Sequence, residues 1–463
     1  MLNSNYDVVI IGGGISGLMC AHRLITNDRD LSILLLEKGN KLTNRQCPIV
    51  KKKTNYCLKC QPCAIMEGMA GAGAFSDGKY IISTEYGGWL PDLIEHDKVL
   101  DYIEQADKIL VGFDAIKERY MPNDELKKIC VQNGLYMQQA IVKHLGTDSN
   151  YQAMLNLINY LEDKITISTL TNVTDVNKET HTVYLEHKKK KYEVTGDNIV
   201  FAVGRVGSRT FKNWCTKEKI HLTNNQIDLG VRVELPSMIW EDFSKKIYEP
   251  KILYRTKQYG DQTRMFCFND RGHVVTENTD GVLTVNGHSF RDEDKKSKNS
   301  NFALLSTTKF TEPFDEPIEY ARSIAALANK ISGHSVLVQR LGDLKDGKRT
   351  DAKRLKASTV RPTLDAVPGD LSLCIPKRQL DNIIETLDAL DKIAPGTANY
   401  DTLLYGIECK FYSARPKTNN FMLDTTDKIY ATGDGAGFTR SLSQAGANGL
   451  MVADIITKDI KFF

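Results

Sequence analysis

Residues 6–37 constrain this chain more than any other stretch. Tyr6 to Ile11 is an apolar run, Gly12-Gly13-Gly14-Ile15-Ser16-Gly17 follows it, and helical spacing begins at Leu18. A second apolar run, Leu31 to Leu36, ends on Glu37. Strand, glycine turn, helix and second strand in that order form a βαβ unit of the dinucleotide-binding kind. An unbroken run such as Val8-Val9-Ile10-Ile11 suits a parallel strand buried on both faces. Gly12 permits the tight turn, Gly14 lets backbone approach a pyrophosphate, and Gly17 lets the helix pack against the strand. The helix N-terminus, with Ser16 in its first turn, offers N–H groups and a positive dipole end to phosphate. Glu37 stands 20 residues beyond Gly17, followed by Lys38, where a carboxylate accepts hydrogen bonds from ribose hydroxyls.

The bulk numbers bound the class. At 463 residues the chain exceeds one core, so two or three domains are expected. Hydrophobic content of 41% and charged content of 26% are ordinary for a globular protein. A net charge of +3 argues against nucleic acid as a partner, and the lysine clusters at 51–53, 188–191 and 295–296 read as solvated turns. No 18-residue apolar run is present, so no membrane span is expected. The first strand begins too early for a signal peptide, so a cytoplasmic location is expected, with cysteines that are reduced, metal-bound or catalytic.

The far end of the chain carries a second signature. Lys428-Ile429-Tyr430-Ala431-Thr432 reads as a strand, Gly433-Asp434-Gly435-Ala436-Gly437 follows, and a helix is expected from about Leu442 to Ile456. This resembles the C-terminal flavin signature of glutathione-reductase-type FAD proteins. The resemblance implies that Asp434 binds the ribityl chain and that the helix, with Ser443, points at the flavin. Asn198 to Arg205 looks like the strand and loop, with Gly204, that precede departure into a substrate domain; Val173 is a further expected cofactor contact. The implied fold class is α/β: a discontinuous Rossmann-like FAD-binding domain with an inserted mixed α+β substrate domain. Residues 1–215 and 401–463 form the FAD-binding parts and 216–400 the substrate domain, with a Cys/Gly-rich loop at 47–90. Helical spacing is read at Leu93, Ile94, Val99, Leu100 and Ile103, again at Ile141, Val142 and Leu145, and from Met154 to Leu161.

Cys47, Cys57, Cys60 and Cys63 lie within 17 residues. Three readings stay open: an iron–sulfur cluster, a redox-active dithiol, or a structural zinc or buried-thiol knot. Gly68-Met69-Ala70-Gly71-Ala72-Gly73-Ala74-Phe75-Ser76-Asp77-Gly78-Lys79 follows, and its small residues let backbone approach a ligand. Gly73 and Ala74 are expected beside the cofactor, with Ser76 and Asp77 hydrogen-bonding flavin or substrate.

Together the C-x-x-C-x-P-C run, GAGAFSDGK and the closing GDGAGFTRSLSQA resemble an uncharacterised family of bacterial and archaeal FAD-dependent dehydrogenases. Ser441 stands where the resemblance leads one to expect Gly, and longer relatives carry a domain ahead of the fingerprint. The resemblance implies FAD and the fold and no substrate. Candidates in the middle domain are Arg232 with Glu234 and Asn286 with His288, each pair two apart and on one strand face, together with Gln339, Arg340 and Lys410. Tyr412 or His288 is a candidate proton donor, and Arg232 or Lys410 a candidate anchor for an anionic group. No second GxGxxG is present, so NAD(P)H would bind transiently or electrons would come from a protein donor such as ferredoxin. The favoured reading is an FAD-dependent oxidoreductase reducing or desaturating a C–C or C–N bond of a small molecule. The alternatives are a thiol–disulfide or ferredoxin-coupled flavoprotein using Cys57, Cys60 and Cys63, and a non-enzymatic flavin-bound redox sensor.

Overall fold

The structure, a computed structural model, describes residues 2–458 apart from 49, 52, 55–57, 59, 280, 291, 309, 311–313, 315 and 411. The chain divides into two compact units: residues 1–118, 143–225 and 412–463 in the first, 119–142 and 226–411 in the second.

In the first unit, β1 (Asn5–Ile11) lies between β2 (Ile33–Leu36) and strand Lys190–Phe201, parallel to both. Ile429–Ala431 extends the parallel set beside Lys190–Phe201, and Thr166–Ser168 extends it beside β2. Val8, Val9 and Ile10 are fully buried, as a strand covered on both faces requires. Helix α1 (Ile15–Asn27) crosses the C-terminal helix Leu442–Lys458 at Gly449, where a Cβ would lie 2.1 Å from the Ser16 carbonyl oxygen. Only glycine allows that approach. The antiparallel strands Thr171–Asn177 and Thr182–His187 join the sheet through Lys190–Phe201.

The second unit is built on an eight-stranded sheet. Its middle strand, Ile227–Pro236, is antiparallel to Asn299–Thr308 on one side and to Leu403–Lys410 on the other. Ile227, Leu229, Val231, Val233 and Leu235 share one apolar core with helices Pro317–Ile331 and Lys377–Leu390. The alternate residues Asp228, Arg232 and Glu234 point to the opposite face and are also buried, because the hairpin His273–Thr279/Val282–His288 covers part of that face. Gly287 sits directly over the Arg232 guanidinium, where a Cβ has no room.

The second unit is wider than the 216–400 block read from the sequence. Leu403–Lys410 belongs to it because it pairs along Ile227–Pro236, and 119–142 belongs to it because Tyr136–Gln138 pairs with Lys251–Arg255. The helical spacing read at Ile141, Val142 and Leu145 is overturned: Ile141–His144 is a strand and the helix starts at Gly146. Two adjacent β-branched residues favour the extended conformation, and three apolar positions are too few to set a period. Among the described residues, no helix is long and apolar enough to cross a membrane.

Candidate cofactor site

The glycine turn after β1 is packed so closely that most of its glycines are required by the protein itself. Gly12 has φ +114°, and a Cβ there would lie 2.3 Å from the Ala202 oxygen. A Cβ on Gly17 would lie 2.1 Å from the Gly12 oxygen. Gly14 differs: its backbone is extended at φ −74°, and a Cβ would meet only the Gly71 Cα, at 4.0 Å. Packing does not require glycine at position 14, and the space over it is open to a close-approaching ligand. Gly14 caps α1 without a side-chain hydrogen bond, which leaves the N–H groups of the first turn to a ligand.

Glu37, at the tip of β2, is buried and held at both oxygens: Oε2 accepts from Gly13 N and Oε1 from Gly39 N, each at 2.8 Å. Two charge-assisted bonds fix the carboxylate, and its remaining lone pairs suit ribose hydroxyls. Lys38 is exposed and pairs with Glu67 at 2.6 Å.

Three distant segments converge on this turn. Ser16 Oγ lies 2.7 Å from Thr432 Oγ1, and Gly433 N donates to Asn448 Oδ1 at 2.8 Å. Gly435 packs on Gly204, where a Cβ would sit 2.7 Å from the Gly204 oxygen. Ala70 forms an isolated parallel bridge with Gly14. Asp434 is half-buried and accepts from Thr439 Oγ1 at 2.6 Å. Burial pushes its carboxyl above the ordinary value, against the Thr439 bond and the charges of Arg205 and Arg440. Ser443 Oγ accepts from Ile81 N at 2.7 Å, and Val173 lies on strand Thr171–Asn177 opposite Leu185. Ser441 accepts from Gln444 N at 3.2 Å, a helix-capping bond that a glycine at this position would lack.

The loop after the cysteines is organised by Arg45, a residue the sequence reading passed over. Its buried guanidinium donates to the carbonyls of Ala64, Ile65, Gly68, Met69 and Gly71 and lies 4.7 Å over the Phe75 ring. Burial lowers its pKa to about 10 despite nearby Glu37 and Glu67. A lone arginine has no sequence signature for this role, because its partners are backbone atoms. Gly73 accepts from Asn150 Nδ2 at 2.8 Å, and Ala74 is fully buried. Ser76 Oγ donates back to the Gly73 oxygen at 2.7 Å, closing the turn. Asp77 lies 3.3 Å from Lys79.

Cys60 is exposed, while Cys47 and Cys63 are half-buried free thiols; Cys57 lies outside the described residues. Cys63 N donates to Glu67 Oε2 at 2.7 Å. Among the described residues no three His, Cys, Asp or Glu side chains converge as metal ligands.

The middle-domain candidates separate. Arg232 and Glu234 share a face as the spacing requires, yet both are fully buried in internal bonds. Arg232 donates to Asn301 Oδ1 at 2.8 Å, to the Cys267 oxygen at 2.7 Å and to Glu408 at 3.4 Å. Glu234 accepts from Tyr405 and Thr363 hydroxyls, both at 2.5 Å. Arg340 is bound by Asp343 and Asp401, Gln339 by Lys348 and Leu371, and Asn286 by Glu277. Lys410 lies 3.0 Å from Glu408, whose charge holds the ammonium above its usual range against burial. His288 meets Phe290 edge-on at 4.7 Å in the second unit, and Tyr412 meets Trp89 edge-on at 5.2 Å in the first.

Comparison with known proteins matches the glycine-turn segment and the second unit. Residues 10–45 match the family described as NAD(P)-binding Rossmann-like domain, and residues 226–411 match FAD-dependent protein, C-terminal domain-like. An uncharacterised protein of Clostridium beijerinckii is 25% identical over 472 residues, covering 97% of this chain and 80% of its own length. Glycine oxidase from Geobacillus kaustophilus is 10% identical with a TM-score of 0.41, over 100% of this chain and 97% of that one. L-proline dehydrogenase from P. horikoshii is 12% identical with a TM-score of 0.40, over 99% and 95%. The fold is a Rossmann-like dinucleotide-binding unit joined to a mixed α/β unit. The open space at Gly14, the pinned Glu37 and the match over 226–411 agree on FAD as the cofactor.

Proposed function

We propose that the protein passes hydride between its bound FAD and a small organic molecule, reducing or desaturating a C–C or C–N bond. The observation that carries this reading is the convergence of residues 12–17, 68–74 and 432–435 in one unit, with Gly14 left open and Glu37 fixed beside it. The first-turn N–H groups of α1 hold the pyrophosphate, Glu37 the ribose and Asp434 the ribityl hydroxyls. When bound, the flavin supplies the hydride chemistry. The protein's part is position and proton management. Tyr412, whose ring lies 4.8 Å from the Arg440 guanidinium, is the first proton-carrying candidate. His288 is the second proton-carrying candidate.

A cysteine-assisted electron transfer is the second reading, favoured by one observation. Arg45 ties Ala64 and Ile65, next to Cys63, to Gly71 beside Gly14. Anaerobic mixing separates the two. The first reading expects flavin bleaching by a saturated amine or acid, or reoxidation of reduced enzyme by an unsaturated one. An enzyme inert to that panel but reduced by dithiol or reduced ferredoxin, with loss on Cys60→Ser, overturns the first and establishes the second. Tyr412→Phe is expected to shift the pH profile of the bleaching rate, which simple loss of packing would not do.

A further inference from the structure

A second site lies in the first unit, where Gly87-Gly88-Trp89 pairs with the segment between Asp434 and the last helix. Trp89 N donates to the Phe438 oxygen at 2.8 Å and Arg440 N to the Gly87 oxygen at 2.9 Å. A side chain is not tolerated at Gly88, where a Cβ would lie 2.3 Å from Gln444 Oε1. This strap holds the half-buried Trp89 indole against two guanidiniums: Arg440 at 4.6 Å from the ring centroid and Arg415 at 5.4 Å. Tyr412 completes the stack beneath Arg440. Two cations sharing one ring lie within about 10 Å of each other and repel.

The counter-charge of Arg415 is incomplete. The nearest carboxylate to Arg415 is Asp92, 3.9 Å away on a side chain 60% exposed, and Arg415 Nε is buried without a hydrogen-bond partner. Burial lowers the Arg415 pKa, as expected of a desolvated cation lacking close compensation. Asp434 faces Arg440 and Arg205 and is itself held by Thr439. An oxyanion would satisfy the Arg415 fork and relieve the repulsion between the two guanidiniums, while the indole fixes their planes.

We propose that Trp89, Arg415 and Arg440 form a binding subsite for an oxyanion, the carboxylate or phosphate group of a small-molecule reaction partner. The assignment is independent of which bond the flavin reduces, since anion binding is read without turnover. Of the chain's three tryptophans, Trp214 and Trp240 are buried, so Trp89 dominates any ligand-dependent emission change. The holoenzyme is titrated with succinate and with inorganic phosphate against sodium chloride at matched ionic strength. A saturable change in tryptophan emission is expected. Saturation by phosphate alone assigns a phosphate-bearing partner, by succinate alone a carboxylate, and by both a site that reads the oxyanion itself. Arg415→Gln weakens the saturating anion about tenfold or more, and Arg415→Lys, which keeps the charge without the fork, weakens it less. Arg440→Gln serves as the independent variant if Arg415→Gln does not fold. Responses that follow chloride, or variants that titrate as the parent does, overturn the proposal.

Discussion

Ser16 Oγ and Thr432 Oγ1 lie 2.7 Å apart although 416 residues separate them in the chain. One hydroxyl belongs to the first turn of α1 and the other ends strand Ile429–Ala431, so a single buried bond ties the glycine turn to the Gly433-Asp434 corner. Ser16→Ala and Thr432→Val each remove it, at about 1 kcal/mol. Thermal denaturation should give a double variant close to either single one. Full additivity would show that the two hydroxyls do not act as a pair.

Gly17→Ala should yield protein that does not retain FAD. The new Cβ meets the Gly12 carbonyl oxygen at 2.1 Å, and backbone at that contact cannot yield without displacing the turn. Gly14→Ala is the sharper test, because the protein itself has room for the methyl. It should fold with unchanged melting temperature and bind FAD weakly by flavin fluorescence; unchanged FAD affinity would remove the pyrophosphate from this position.

Arg45→Lys keeps the charge but cannot serve five carbonyls from one ammonium. The segment Ala64–Gly71 should loosen. Thiol labelling of Cys63, half-buried in the parent, is expected to accelerate, and FAD affinity to fall about tenfold as one or more charge-assisted bonds are lost.

Lys143 and Asp107 form a buried ion pair at 2.5 Å, with side chains 1% and 6% exposed. Lys143→Met removes the cation paired with a buried carboxylate and should cost roughly 3–5 kcal/mol. Adding Asp107→Leu should restore most of that loss in chemical denaturation, since a well-packed apolar pair can replace a buried ionic one.

His22 supplies a pH dependence with a definite sign. Burial, and then Arg23, lower its pKa from 6.5 to about 4, and its Nδ1 is buried without a hydrogen-bond partner. The folded state keeps the ring neutral while the unfolded chain protonates it. This contribution is therefore intact above pH 6.5 and is lost as pH falls toward 4. His22→Phe, which preserves ring packing on Phe113 and Tyr160, should flatten the melting temperature over that window relative to the parent.

The local backbone of the glycine turn was legible residue by residue. Gly12, Gly14, Gly17 and Glu37 carry strong local rules: positive φ, close approach, and a carboxylate at a strand tip follow from spacing along a few residues. The same holds for the apolar strand Val8–Ile11, whose burial on both faces is written in its composition. Ser76 and Arg232 carry contacts that such reading does not supply. Each is a polar residue in a suggestive pattern, and each is consumed by an internal bond, to Gly73 and to Asn301, that no pattern encodes.

Arg45, Thr432 and the Trp89–Arg415–Arg440 stack lie beyond sequence reading for a related reason. Their partners are backbone carbonyls, or side chains hundreds of residues away, and such contacts exist only once the parallel sheet has placed its strands side by side. Local spacing decides that a glycine turn forms after β1 and which atoms it offers. Long-range strand pairing decides which parts of the chain come to lie against it, because backbone hydrogen bonds between distant segments carry no local periodicity.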